Sequence, residues 1–130
     1  MQTRISEAFE LAKKQLQIAD DFFQKEDIDN SLIYIWNSFE NLINCLKDHF
    51  NNKPLYDHRP KVDVLRDFFL AQKIKNDYAQ TFAKLISYRL VAEFGPYTKI
   101  QKSYTSKDVE KYLREAKTFL EEVKQIIKST

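Results

Sequence analysis

Apolar residues recur along the chain at steps of three and four, the spacing of helices that bury one face. From about Thr3 to Lys25, a broad stripe is formed by Ile5, Ala8, Ala12, Ala19 and Phe22, with Phe9, Leu11, Leu16 and Phe23 beside them. Asp29 or Asn30 is placed to cap a second helix, whose buried face is marked by Leu32, Ile35, Trp36, Phe39, Leu42, Ile43, Leu46 and Phe50. The connection is short, which predicts antiparallel neighbours. Residues 51–60 read as a loop from Pro54, Pro60 and the paired Asn51 and Asn52. Pro60 then opens a short third helix carrying Val62, Leu65, Phe68 and Phe69 and ending near Gln72. A fourth helix runs from near Asn76 to Phe94. After a further loop, Ser106 is expected to cap the last helix, with Asp108 and Glu110 suited to its first turn. Val109, Tyr112, Leu113, Ala116, Leu120, Val123 and Ile127 give that helix a clean stripe. The expected fold is all-α, an up-and-down bundle of four long helices plus one short helix, in a single domain over residues 1–130.

The sharpest punctuation falls at Phe94-Gly95-Pro96. Gly95 is the only glycine and is followed at once by proline, so the fourth helix should end in a left-handed Gly cap that proline forbids from continuing. Counting back from that stop, Tyr78, Phe82, Leu85 and Arg89 share one face. An arginine therefore occupies a place where the pattern calls for a core residue. Its guanidinium keeps its proton and is costly to desolvate unpaired. Either its stem borders the core while its head reaches water or pairs with Glu93 one turn on, or it points into a polar pocket shared with another helix. Glu40, four residues after Trp36, puts a carboxylate at the edge of the second helix's stripe and is the candidate partner in the second case.

Composition narrows the class. With 43% hydrophobic and 14% aromatic residues there is ample material for a core, which argues against disorder. One glycine leaves no phosphate-cradling P-loop or dinucleotide fingerprint. The apolar runs are short of a membrane span, and the first residues lack a signal peptide's apolar segment, so a soluble, cytoplasmic protein without membrane contact is expected. Cys45, the one cysteine, sits in an apolar helical pattern and reads as a small core residue. Two histidines and one cysteine form no recognisable ligand set, so neither a metal nor another cofactor is expected.

Net charge is only +2, from 21 basic and 19 acidic residues, unlike the basic stripe of a duplex-DNA binder. Lys53, His58, Arg59, Lys61 and Arg66 cluster locally, and Lys99, Lys102 and Lys107 follow the Gly95 stop. Both clusters are readable as solvated surface. His58 stands out because it lies in a loop beside Arg59, outside any apolar repeat; His49 reads as a charge suited to a helix C-terminus. Tyr97 and Tyr104 flank Lys99 and Lys102, an alternation that can stack bases and neutralise phosphates of single-stranded RNA, or pack back onto helix ends.

Arg89-Leu90-Val91-Ala92-Glu93-Phe94-Gly95 resembles the R-x-x-A-D-Y-G signature of small stand-alone members of the HEPN superfamily, with Glu for Asp and Phe for Tyr. The closing helix from Ser106 to Leu120 and the loop histidine in Asp57-His58-Arg59 look like the same subgroup. The resemblance implies a compact, commonly dimeric helical bundle with a polar cleft where the fourth-helix arginine faces the second helix. Many members are metal-independent ribonucleases, often toxins or phage-defence effectors; others accompany a nucleotidyltransferase. Their catalytic arginine is followed after about four to six intervening residues by a histidine. Phe94, Gly95 and Pro96 hold those places here, and none can move a proton.

Three functions follow as expectations. The first is a HEPN-like domain that binds a nucleotide or RNA phosphate through Arg89, with Glu40, Arg59, Glu93 and Tyr97 around it, in a toxin–antitoxin or phage-defence setting. The second is a divergent ribonuclease in which His58 substitutes as the proton-transfer group and Arg89 stabilises developing charge. The third is a non-catalytic helical homodimer that partners a nucleotidyltransferase or an antitoxin.

Overall fold

A computed structural model describes residues 3–51, 60–97 and 103–128. Among these residues the chain is all-helical: α1 (Thr3–Gln24), α2 (Ile28–Asn51), α3 (Lys61–Leu70), α4 (Ala79–Phe94) and α5 (Ser106–Lys128), with a 3-10 turn over Gly95–Tyr97.

The caps lie one to three residues from where the pattern places them. At the head of α2, Asp27 and not Asp29 or Asn30 is the cap, its carboxylate accepting from the Asn30 backbone N–H at 3.2 Å and from the Asn30 side-chain amide at 2.7 Å. Glu26 makes the preceding reversal with φ 65°. At the head of α5, Thr105 takes the place expected for Ser106. Its backbone N–H donates to Asp108 Oδ2 at 2.8 Å while its hydroxyl accepts from the Asp108 N–H at 3.3 Å, a reciprocal capping box. Helix α4 starts later than expected, because Asp77 accepts from the Ala79 N–H at 3.0 Å in a tight turn. Gly95 ends α4 at φ 51°, ψ −124°. That is a positive-φ conformation, but with ψ far from the left-handed helical cap the glycine–proline pair suggested. The Gly95 N–H still donates to the Val91 carbonyl, so one orphan acceptor of the helix end is satisfied.

Helices α1 and α2 form the closest pair, and small residues are the reason. Ala12 and Ala19 are fully buried at the seam. Their backbones come near enough for Ser38 Oγ to donate to the Ala12 carbonyl at 2.9 Å and Ser31 Oγ to the Ala19 carbonyl at 2.8 Å. One further heptad along, Cys45 Sγ lies 3.6 Å from the Ile5 carbonyl. The order of these contacts makes α1 and α2 antiparallel.

Helix α2 runs through the centre and touches every other helix. Its Phe39 packs on Phe82 of α4 and Phe119 of α5, with ring centroids 6.0 and 5.2 Å apart, and meets Tyr78 edge-on at 6.2 Å. Phe119 is fully buried whereas Leu120 is only partly so, a shift of one residue from the expected α5 stripe. Val64 of α3 is likewise fully buried beside the expected Leu65 and Phe68. Glu122 of α5 fastens the α3–α4 connection, accepting from Tyr78 Oη at 2.8 Å, from the Asn76 amide at 3.2 Å and from the Lys75 backbone N–H. No helix among the described residues is long and apolar enough to cross a membrane.

Candidate functional site

Arg89 continues the buried face of Tyr78, Phe82 and Leu85 to the edge of the core, where α4 faces α2. Trp36 of α2 meets it there, one turn before Glu40 and flanked by fully buried Ile35 and Phe39. The guanidinium carbon lies over the indole, 4.2 Å from the ring centroid. Glu93 Oε2 approaches Arg89 Nη2 at 3.1 Å, and the two side chains keep 29% and 28% of their surface exposed. An exposed pair one turn apart contributes only about 0.3–0.5 kcal/mol. A partly desolvated cation over tryptophan contributes about 1–2 kcal/mol, so the indole is the stronger of the two restraints on the guanidinium.

Among the described residues, two N–H donors here are shut off from solvent without an acceptor, Arg89 Nε and Trp36 Nε1. An unsatisfied buried donor costs about 1–3 kcal/mol. Both fall on the two side chains that stack on each other, so unused donor capacity is concentrated at one point on the α2–α4 seam.

Glu40 and Arg89 are not joined to each other. The Glu40 carboxylate pairs with Lys61 Nζ at the start of α3, while Arg89 takes Glu93. The polar edge of α2 therefore carries two adjoining features: Trp36 under Arg89, and Glu40 under Lys61. Tyr97 stands 93% exposed just beyond the end of α4. Tyr104 is buried, packs on Tyr88 at 5.4 Å and donates its hydroxyl to Asp29, so of the two loop tyrosines it is the one that returns to the helix ends. Burial and that carboxylate push its phenol pKa well up. His58, Arg59, Lys53, Lys99 and Lys102 lie outside the described residues. His49, in the last turn of α2, meets Phe50 edge-on at 4.9 Å.

Trp36 is the site residue that pattern reading missed, because an aromatic on a core stripe gives no sign that its face will take a cation. The only available signal was its place one turn before Glu40, on the helix opposite the misplaced arginine. A concavity of about 600 Å³ lies between the α3–α4 connection and α5, away from Arg89, walled by Lys73, Ile74, Lys75, Glu122 and Ile126. Its central carboxylate, Glu122, already has three donors. Among the described residues, no three His, Cys, Asp or Glu side chains stand together as metal ligands would. No protein-family model matches the chain, and no curated protein matches it.

Proposed function

We propose that this chain is a HEPN-like helical domain that holds a phosphate group of a nucleotide or RNA where α4 faces α2, with Arg89 as its anchor. The observation that carries the reading is the state of that arginine. Among the described residues it is set at the edge of the core, oriented by an indole, engaged by one carboxylate and left with a buried Nε–H unused. A phosphate offers several acceptors to such a fork, and planar two-point recognition of oxyanions is what arginine does better than lysine. The family reading is supported by the run from Arg89 to Gly95 on α4 and by the helical architecture around it. Reversed contact order between α1 and α2, and between α4 and α5, supports an up-and-down bundle of four long helices plus short α3.

The toxin–antitoxin or phage-defence setting and a nucleotidyltransferase or antitoxin as partner rest on the resemblance alone; the cytoplasmic location rests on the short apolar runs and the polar first residues. A homodimer has a structural support of its own: Ile86, Phe94 and Tyr97, 39%, 52% and 93% exposed, follow one another along the outer side of α4 and its terminal turn. Cleavage of RNA would ask for a proton-transfer group beside Arg89, and the carboxylate found there, Glu93, is occupied by the guanidinium.

The test is a titration of a labelled single-stranded RNA and of AMP against wild type, Arg89→Ala and Glu40→Gln. Saturable binding that vanishes in Arg89→Ala and persists in Glu40→Gln is expected, because Glu40 serves Lys61. Equal indifference of wild type and Arg89→Ala would sink the reading.

A further inference from the structure

We infer that phosphate enters the site side-on, two of its oxygens bridging Nε and Nη2 of Arg89, and that Glu93 is the group it displaces. This rests on the phosphate reading above and specifies how the same site binds. In a guanidinium, Nε–H and the Nη2 amino group share one edge, and that edge presents two parallel donors. Glu93 engages Nη2 only: its Oε2 lies 3.1 Å from that nitrogen as an ion pair, whereas Nε has no acceptor among the described residues. The carboxylate is tied to the same helix one turn along, so its reach is set by the α4 backbone. A free oxyanion has no such tether and can centre itself on the edge. The approach must be in the guanidinium plane, because one face is covered by Trp36 at 4.2 Å.

Nε is closed to solvent, so no outside oxygen reaches it until a covering group moves. Glu93 is suited to be that group. Its carboxylate contacts Nη2, one end of the shared edge, its side chain is 28% exposed, and a rotation about its own bonds carries the carboxylate to water. Its negative charge is also the local repulsion an incoming phosphate must overcome. Glu93 thereby holds Arg89 in a closed resting pose, and a ligand is admitted only if it satisfies the edge better than the carboxylate does.

Trp36 is the only tryptophan in the chain, so its emission reports on the arginine stacked over it. The experiment follows Trp36 fluorescence while AMP, a phosphate monoester, and a hydroxyl-ended single-stranded RNA, which offers only diesters, are added separately. Wild type, Glu93→Gln, Glu93→Ala, Arg89→Lys and Arg89→Ala are compared after circular dichroism confirms that each is helical. Both Glu93 variants should saturate at roughly half the ligand concentration that wild type needs, the scale of a pair of this kind. Arg89→Lys, which keeps the charge but not the fork, should lose most of the binding, and Arg89→Ala all of it. Wild-type affinity in both Glu93 variants, or in Arg89→Lys, would overturn side-on displacement while leaving the phosphate reading standing. No saturable response to either ligand in wild type and both Glu93 variants, by emission or by calorimetry, would overturn the phosphate reading and this inference with it.

Discussion

Ser38 of α2 donates its hydroxyl hydrogen to the main-chain carbonyl of Ala12 on α1, 2.9 Å away, and both residues are fully buried. Such a bond requires two helix backbones to run unusually close, which only small side chains at the seam permit. Ser31 repeats the bond to Ala19 one heptad away, so the register of α1 on α2 is fixed by direction as well as by apolar fit. The Ala12 carbonyl lies inside α1, where the helix ladder supplies its own donor, so losing the serine leaves no naked acceptor. Ser38→Ala should therefore cost only about 1 kcal/mol. Ser38→Leu must push the helices apart and should cost about 3 kcal/mol or more. Urea unfolding of the two variants beside wild type checks the ordering; a leucine variant no weaker than the alanine one would mean the seam has slack.

Gly95 gives a cleaner test of backbone strain. Its φ of 51° with ψ of −124° lies in a region that side-chain-bearing residues rarely visit, yet a Cβ placed there meets nothing within 4 Å among the described residues. The penalty for Gly95→Ala is thus conformational alone, about 1–3 kcal/mol. Thermal melts should show this loss with Gly95→Asn no better than alanine, because the asparagine tolerance for left-handed helical caps does not extend to this ψ. Rescue by asparagine would point to an ordinary left-handed cap.

The stripes were legible along the chain because each needs only local spacing: Phe39, Phe82 and Leu85 are buried where the period puts them. Phe119 and Leu120 fit the α5 period almost equally, and the choice fell to the ring of Phe39, which sequence spacing cannot see. Caps shifted because Asp27 and Thr105, like their polar neighbours, carry a suitable oxygen, and only the geometry of entry selects among them. The charged site divides the same way. Glu93 is one helical turn from Arg89 and could be read from the chain; Lys61, which takes Glu40, comes from another helix, and Trp36 declares itself only once α2 and α4 are packed.

Cys45 is inert by placement. Burial, with Asp48 nearby, raises its thiol pKa from an ordinary 9.0 to about 12. The folded state thus favours the neutral thiol more than the unfolded chain does. The thiol's contribution to stability is full below about pH 9 and is lost progressively as pH climbs from there toward 12, because the unfolded chain gains by ionising first. Alkylation by iodoacetamide at pH 8 should be slow in the native protein and accelerate with urea in step with unfolding. In Cys45→Ala, the decline in stability above pH 9 should be shallower than in wild type. Rapid native alkylation would show that the thiol is reached without unfolding.

One carboxylate of α5 fastens the α3–α4 connection to the bundle. Glu122 accepts from Tyr78 Oη, the Asn76 amide and the Lys75 backbone N–H, and no helix ladder stands in for it along that segment. Removing the tyrosine hydroxyl takes one donor from the carboxylate, which keeps two others, and one acceptor from the Asn76 amide, which keeps Glu122, so Tyr78→Phe should cost about 1 kcal/mol. Glu122→Ala removes the acceptor shared by all three, strands the Tyr78 hydroxyl against the core and should cost about 2–3 kcal/mol. Amide hydrogen exchange separates local from global loss. In Glu122→Ala, protection should fall most at Lys75 and Ala79, while Phe39 and Phe119 on the central helices change only by the global stability difference. Uniform loss across all four amides would mean that the connection unfolds only with the whole bundle and that Glu122 acts on the fold as a unit.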